Sequence, residues 1–311
     1  MHSIEAELET IKNQVEAMER LEQEPKYSRR DYFASVPFDD DPSTVDHWCR
    51  YKMLEWCYSV VDFINFSRET VGIAMSYLDR VLSLNNEFSN GLLFSRKNYQ
   101  LAAMTCLYTA IKVFEPKIID ANLLVELSRG SYTADDFKQM ELEILFALNW
   151  HLNDPTPFQF LEYYLQLLPL HECNLHVQKD TFLDHARYQI ELAMFDYTMV
   201  IHEPSKVAVA ALSNSLNSIF TAHGAYNDGV KMIQHLQRMT SEPNADLPAV
   251  QHISLGMERL HNTKIPAILR RASPPSVTGT TISNKCNDQN SIDHDGEFRN
   301  AKVSPTACVS I

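Results

Sequence analysis

Apolar residues recur along most of this chain at spacings of three and four, which is the period of one face of an α-helix. Between residues 43 and 148 this spacing predicts five helices, and little of the stretch alternates with the period of a strand. The predicted helices lie near residues 45–65, 68–84, 96–112, 120–128 and 134–148. Between the second and third of these lies a long segment, from Leu84 to Phe94.

Capping residues mark several of these helix starts, because Ser, Thr and Asp side chains accept hydrogen bonds from the first backbone N–H groups. The predicted starts are at Ser43 with Asp46, at Ser67, at Ser95 and at Thr133 with Asp136. The third predicted helix is apolar around nearly its whole circumference from Leu101 to Ile111. A helix of that kind must be surrounded by other elements.

The pattern breaks at residues 153–157 (NDPTP), because each proline disfavours helix at the residue before it. Beyond the break it predicts five further helices, near residues 156–168, 177–198, 204–220, 227–239 and 246–262. The small apolar run Val207–Leu212 corresponds to the run Leu101–Ala110 in the first half. The sequence therefore predicts an all-α protein built from two tandem five-helix units.

The two ends of the chain differ from these units. Residues 2–24 predict a helix with one apolar face that stops at Pro25, and it could form a short coiled coil, dock on its own chain or dock on a partner. After Arg271 few large apolar residues remain, so disorder is predicted. The predicted division is 1–42 (N-terminal helix and linker), 43–153, 154–264 and 265–311 (tail).

Composition narrows the classes of function. The net charge is −13 and no Lys/Arg run exceeds two residues, which argues against a nucleic-acid partner. The six cysteines include no Cys-x-x-Cys pair, which indicates a reducing compartment. No export signal and no run of eighteen apolar residues occurs, so we expect an intracellular protein with no membrane partner.

The sequence offers little support for an enzyme. Asp39-Asp40-Asp41 could suggest the magnesium site of an all-α isoprenoid synthase, but the triplet precedes Pro42 in a predicted loop and lacks a second ligand set. The twelve histidines have no paired metal-binding spacing, and no Gly-rich phosphate loop occurs. We therefore expect no catalytic residues, no metal and no cofactor.

Four segments of the first unit resemble the cyclin box: CRYKMLEW, AMSYLDRVLS, LAAMTCLYTAIKVFEP and MELEILFALNW. In the second unit, RYQIELAMFDYTMVIHEPSKVAVAALSNSL is similar to the second cyclin fold. The resemblance covers residues 30–263 and implies two tandem cyclin folds. The stretch around Trp150 and Thr156-Pro157 is similar to G1 (D-type) members. The absence of a mitotic Arg-x-x-Leu signal leads away from A and B types.

The resemblance implies a regulator rather than an enzyme: a subunit that binds a cyclin-dependent serine/threonine kinase, activates it allosterically and controls cell-cycle progression, in nucleus and cytoplasm. Lys112 and Glu141 are the implied kinase-binding charges. Their implied apolar neighbours are Val113, Phe114, Leu145 and Trp150. Glu115 arrives one residue later than the family order and is not expected to contact the kinase. A transcription-linked cyclin or cyclin-fold adaptor is the nearest alternative.

Two more sets of residues follow from the resemblance. Arg50 and Asp79 are implied to form a partly buried ion pair between the first two helices. Arg50, Met53 and Trp56 correspond to a substrate groove of the family, but Lys52 stands where an apolar residue is expected. Weak or altered binding of substrates or inhibitors is therefore predicted there.

The predicted tail carries two candidate phosphorylation sites. Ser273 precedes Pro274 and follows Arg270-Arg271, and Ser304 precedes Pro305. A phosphate on Ser273 would add roughly two negative charges beside two arginines. We expect such a modification to change how the tail lies.

Overall fold

The computed structural model describes residues 2–35, 43–173, 177–239, 247–262, 266, 268 and 269. Ser273, Ser304, the Asp39–Asp41 triplet and most of the predicted tail lie outside these residues. The described part contains helices and no strand, which confirms the all-α prediction. Its helices are α1 (His2–Glu22), α2 (His47–Ile64), α3 (Glu69–Leu82), α4 (Glu87–Leu93), α5 (Arg96–Phe114), α6 (Ala121–Leu127), α7 (Ala134–Ala147), α8 (Pro157–Leu167), α9 (Lys179–Met194), α10 (Pro204–Ala222), α11 (Tyr226–Met239) and α12 (Leu247–Asn262).

Helix α4 lies in the segment from Leu84 to Phe94, between the second and third predicted helices, where the spacing predicted none. Its sequence, EFSNGLL, has only three apolar residues and contains a glycine, which disfavours helix, but Asn86 caps it by accepting from Ser89 N at 2.9 Å. Leu92 and Leu93 are buried on its inner side. A short helix of this kind is stabilised by its cap and by tertiary packing rather than by helix propensity.

Two of the four predicted helix caps are confirmed. Ser95 caps α5, and Thr133 with Asp136 forms the capping box of α7, as predicted. The Ser43–Asp46 box is wrong, because α2 begins at His47 and Asp46 itself is the N-cap, accepting from Cys49 N at 2.8 Å.

The fourth predicted cap is displaced by one residue. The N-cap of α3 is Arg68, while Ser67 Oγ accepts from Glu69 N at 3.3 Å. A cap predicted from sequence is therefore correct only where the helix begins at the residue immediately after it.

Each unit is organised around one buried helix. Helix α5 forms the centre of the first core, and its residues from Tyr99 to Ile111 are buried apart from Tyr108. Helix α10 has the same place in the second core, with Val207–Leu212 buried. The two apolar runs noted in the sequence are thus the two core helices, as their all-round apolar character requires.

Helix α1 packs on the second unit of its own chain, which decides among the three predicted alternatives. Val15 and Met18 are buried in the second core, where α1 lies against α8. At its C-terminal end, Glu22 accepts hydrogen bonds from Ser205 N at 3.0 Å and from the Ser205 hydroxyl. Glu22 therefore caps the N-terminus of α10, where backbone N–H groups lack helical partners.

Candidate protein-docking site

Lys112 and Glu141 meet at the surface where α5 packs against α7. Lys112 lies in the last turn of α5, where the helix dipole favours a cation. Its Nζ donates to both carboxylate oxygens of Glu141, at 2.8 and 2.9 Å. Thr109 Oγ1 donates to Glu141 Oε1 at 3.2 Å, and the Lys112 ammonium lies 4.9 Å from the Tyr108 ring centroid. The sequence-predicted pair is therefore assembled in the isolated chain.

This ion pair remains accessible to another molecule. The Lys112 side chain is 37% exposed and the Glu141 side chain 14% exposed. An exposed pair of this kind contributes only about 0–1 kcal/mol to stability, so a partner can rearrange it at small cost. Lys112 could donate to a partner's carbonyl oxygens and Glu141 could accept from its N–H groups, in charge-assisted hydrogen bonds.

Large apolar side chains lie on the same two helices, α5 and α7, and in the turn that follows α7. Val113, Phe114 and Trp150 are 46%, 41% and 58% exposed, whereas Leu145 is only partly exposed. Exposed apolar groups that lie close together on a folded surface commonly mark an interaction site. Of the four residues predicted to neighbour Lys112 and Glu141, three are exposed and Leu145 is half-buried.

Sequence reasoning missed two further residues of α7. Leu142 and Phe146 are 46% and 66% exposed, and the Phe146 ring meets the Trp150 ring edge-on at 6.2 Å. The buried face of α7 consists of Phe137, Met140 and Ile144. Leu142 and Phe146 fall outside that face, so assigning it from Phe137, Met140 and Ile144 would have identified them as outward-facing apolar residues.

The backbone after α7 places Trp150 at the surface. Asn149 and Trp150 both have left-handed φ values, 48° and 61°. Asn adopts this conformation readily, but a bulky residue rarely does. Asn149 N and Trp150 N donate to the carbonyls of Phe146 and Leu145, each at 3.0 Å, and so end the helix. A strained conformation that keeps a large aromatic ring exposed is consistent with a role in binding.

Arg50 and Asp79 form the second predicted pair, deep between the units. Both side chains are about 5% exposed or less, and Arg50 donates to Asp79 through Nε at 3.1 Å and Nη2 at 2.9 Å. Tyr32 OH donates to the same carboxylate at 2.7 Å. Arg50 Nη1 also donates to the Met194 carbonyl at 2.6 Å, which ties the first unit to the second. The pair is thus part of the interface between the two units.

The residues of the predicted substrate groove are packed inside. Met53 is 1% exposed and Trp56 4% exposed, and Arg50 belongs to the buried pair. Lys52 lies at the surface, 2.8 Å from Glu55 and with its Nζ 4.5 Å from the ring centroid of Trp48. The three groove residues therefore offer little surface, and weak or altered substrate binding at this position stays a prediction.

Glu115 serves the fold. Its Oε1 accepts from Ser67 N at 3.0 Å and from the Thr70 hydroxyl, so it joins the end of α5 to the start of α3.

Within the described residues, no three His, Cys, Asp or Glu side chains come together as a metal site. None of the described helices combines the length and apolar character needed to cross a membrane.

Comparison with known proteins identifies the two units. Residues 14–153 match the cyclin N-terminal domain and residues 155–270 the cyclin C-terminal domain. The G2/mitotic-specific cyclin-B of Drosophila melanogaster is 30% identical over 191 residues, which are 59% of this chain and 33% of that protein. The G1/S-specific cyclin-D1 of Mus musculus is 28% identical over 188 residues, 60% of this chain and 58% of that protein.

A solved viral cyclin from herpesvirus saimiri superposes with a TM-score of 0.49 at 16% identity, covering 76% of this chain and 97% of that one. The chain spans a third to just under two thirds of the length of the curated relatives it matches. Those relatives include cyclins of B, D and A types at similar identity, so the similarity to D-type members does not decide the subtype. With both domains matched in order, this chain belongs to the cyclin family.

Proposed function

We propose that this chain is the regulatory subunit of a cyclin-dependent serine/threonine kinase and activates it without contributing a catalytic residue. The proposal rests on the accessible Lys112–Glu141 pair, because its two helices and the turn after α7 also carry the exposed rings of Phe114, Phe146 and Trp150. A polar pair that fixes register, surrounded by large apolar groups, is the composition expected of a protein-binding centre.

The mechanism is a population shift. Kinase catalysis requires the Lys–Glu ion pair that positions ATP and an ordered activation loop, and both depend on the inward position of the kinase αC helix. A subunit that binds the inward state more tightly raises its population in proportion to the difference in affinity. Lys112 and Glu141 would hold the backbone of the kinase segment that precedes αC, while the apolar groups bury surface on it.

The names of the relatives support a role in cell-cycle control, because they include mitotic and G1/S-specific cyclins. We propose further that the kinase complex acts on its substrates in the nucleus and the cytoplasm. A transcription-linked kinase would use the same pair of charges, so the kinase that co-purifies with the protein distinguishes the two possibilities.

The test compares the Lys112→Ala/Glu141→Ala double variant with wild type in binding to, and activation of, purified candidate kinases. We expect the kinase that wild type activates to bind the double variant on the order of 10- to 100-fold more weakly, since a few central residues dominate such affinities. The matched control is Lys138→Ala/Asp135→Ala, which removes a far more exposed ion pair from the same helix α7. Wild-type binding and activation by the first double variant would refute the proposed interface.

The missed residue Phe146 gives a separate test. Its ring is two-thirds exposed, so Phe146→Ala should leave the unfolding midpoint unchanged. The same change should weaken kinase binding on the order of tenfold if the ring is buried by the partner. The exposed Leu255 of α12 supplies the control, Leu255→Ala, on another helix. Equal effects of the two substitutions on binding would remove Phe146 from the interface.

A further inference from the structure

A second groove opens between the two domains, and none of the residues of the proposed kinase site lines it. Its walls come from the start of α2, from the turn after α9 and from α12, and it has a volume of about 580 Å³. Its apolar lining consists of Trp48, Tyr51, Phe195, Tyr197 and Leu260. We refer to these five residues as the aromatic groove. Of the three residues that correspond to the family's substrate groove, Arg50 lines it, while Met53 and Trp56 do not.

The rings of the aromatic groove hold one another in place. Trp48 stacks on Tyr51 with centroids 5.2 Å apart and planes 8° from parallel, and Tyr51 meets Phe195 edge-on at 5.0 Å. The Lys52 ammonium lies over the Trp48 ring at 4.5 Å. Trp48 nevertheless remains 46% exposed. A fixed, accessible aromatic surface suits a proline-rich segment, which is already ordered as a polyproline II helix before it binds.

The described chain ends at the edge of this groove. Leu269 is fully buried against Tyr188 and Leu192, and Phe195 and Leu260 pack against the same cluster. Leu269 N also donates to the Pro266 carbonyl at 3.0 Å, which fixes the direction of the chain locally. Phe195 and Leu260 line the aromatic groove as well. Residues 270–277, which follow immediately, read RRASPPSV.

We propose that the chain's own Ser273-Pro274-Pro275 segment occupies the aromatic groove. Pro274 lies five residues beyond Leu269, and a polyproline II chain rises about 3.1 Å per residue, so the segment reaches about 15 Å from its anchor. Arg270 and Arg271 would pass Asp196, a carboxylate on the groove wall. Because the segment is tethered, its effective concentration at the groove is in the millimolar range, so even weak docking is well populated.

The experiment uses the full chain labelled with 5-fluorotryptophan and observed by fluorine NMR. The protein has three tryptophans, so three resonances are expected, and Trp48→Phe assigns the one of interest. Pro274→Ala/Pro275→Ala should move the Trp48 resonance and leave those of Trp56 and Trp150 in place. A peptide of residues 270–277 added to that variant should return the resonance to its wild-type position. The matched control is Pro305→Ala, for which we expect no change.

Four results would overturn the proposal. The first is a Trp48 resonance that is the same in wild type and in the double-proline variant. The second is an equal shift caused by Pro305→Ala. A wild-type resonance that moves on dilution would assign the groove to a second copy of the chain. An unrelated proline-rich peptide that shifts wild type and variant alike would assign it to a partner protein.

Discussion

The two ion pairs of the first domain have the same chemistry and opposite surroundings. Arg50–Asp79 is sealed between the domains and shares its atoms with Tyr32 and the Met194 carbonyl. Lys112–Glu141 lies at the surface, where Thr109 donates to Glu141 and the Tyr108 ring lies near the Lys112 ammonium. Charge complementarity alone therefore does not identify a role: burial makes the first pair part of the fold, and access leaves the second free for a partner.

Removing one partner of the buried pair should have the largest effect. Asp79→Ala leaves the Arg50 guanidinium buried without its counter-charge, and we expect a loss of about 3–5 kcal/mol in the free energy of unfolding. Urea denaturation followed by circular dichroism measures it. Asp135→Ala, which removes an exposed carboxylate, serves as the control. A loss below about 1 kcal/mol would show that the Arg50–Asp79 pair is no more important to the fold than a surface pair.

Glu22 differs from both pairs, because it is a buried carboxylate that is hydrogen-bonded to Ser205 rather than to a cation. Burial raises the pKa of Glu22 from 4.5 to about 7, while the Ser205 hydrogen bonds oppose that rise. Between these two pKa values the folded protein holds a proton that the unfolded chain has lost, so stability falls as pH rises from about 4.5 to 7.

Glu22→Gln removes this titration. The stability difference between wild type and the variant should therefore change by about 2–3 kcal/mol between pH 4.5 and pH 8, to the disadvantage of wild type at the higher pH. Urea denaturation of both proteins across this range measures the difference. Glu9→Gln, on an exposed position of the same helix, is the control. A difference that does not depend on pH would contradict the raised pKa.

The exposed pair should have the smallest effect on stability. Lys112→Ala/Glu141→Ala is expected to change the free energy of unfolding by about 0–1 kcal/mol, because solvent screens the attraction. The same urea titration that tests Asp79→Ala provides the measurement. A loss as large as that of Asp79→Ala would mean that reduced kinase binding reports unfolding, and the distinction between the two pairs would disappear.

The sequence predicted most of this architecture because the apolar spacing continues along the full length of most helices. The all-round apolar stretches of α5 and α10 identified two core helices, and the proline-containing break near Asp154 separated the two sets. The prediction missed α4, because its sequence holds few apolar residues and a glycine, and a cap decides its structure. The Ser43 cap failed because helix starts shift by a few residues.

Only part of the protein-docking site was predicted from the sequence. Lys112 and Glu141 came from a family resemblance, and the structure shows that they touch. Phe146 was missed because the buried face of α7 was not assigned from Phe137, Met140 and Ile144, which leave Phe146 facing outward. The packing of α1 on the second domain could not be read from its amphipathic face, since such a face fits any apolar surface. Tertiary contacts supply what local patterns leave open.

The hydrogen bonds from Ser205 to Glu22 span 183 positions of the chain, and that separation has a consequence in time. At synthesis rates of about 5–20 residues per second, Glu22 is made roughly 10–40 seconds before Ser205 exists. During that interval the apolar face of α1 that carries Val15 and Met18 has no second domain to pack against. A nascent chain of this protein therefore presents a transient apolar helix that chaperones can bind, and this first helix can close over the second domain only after Ser205 has been made.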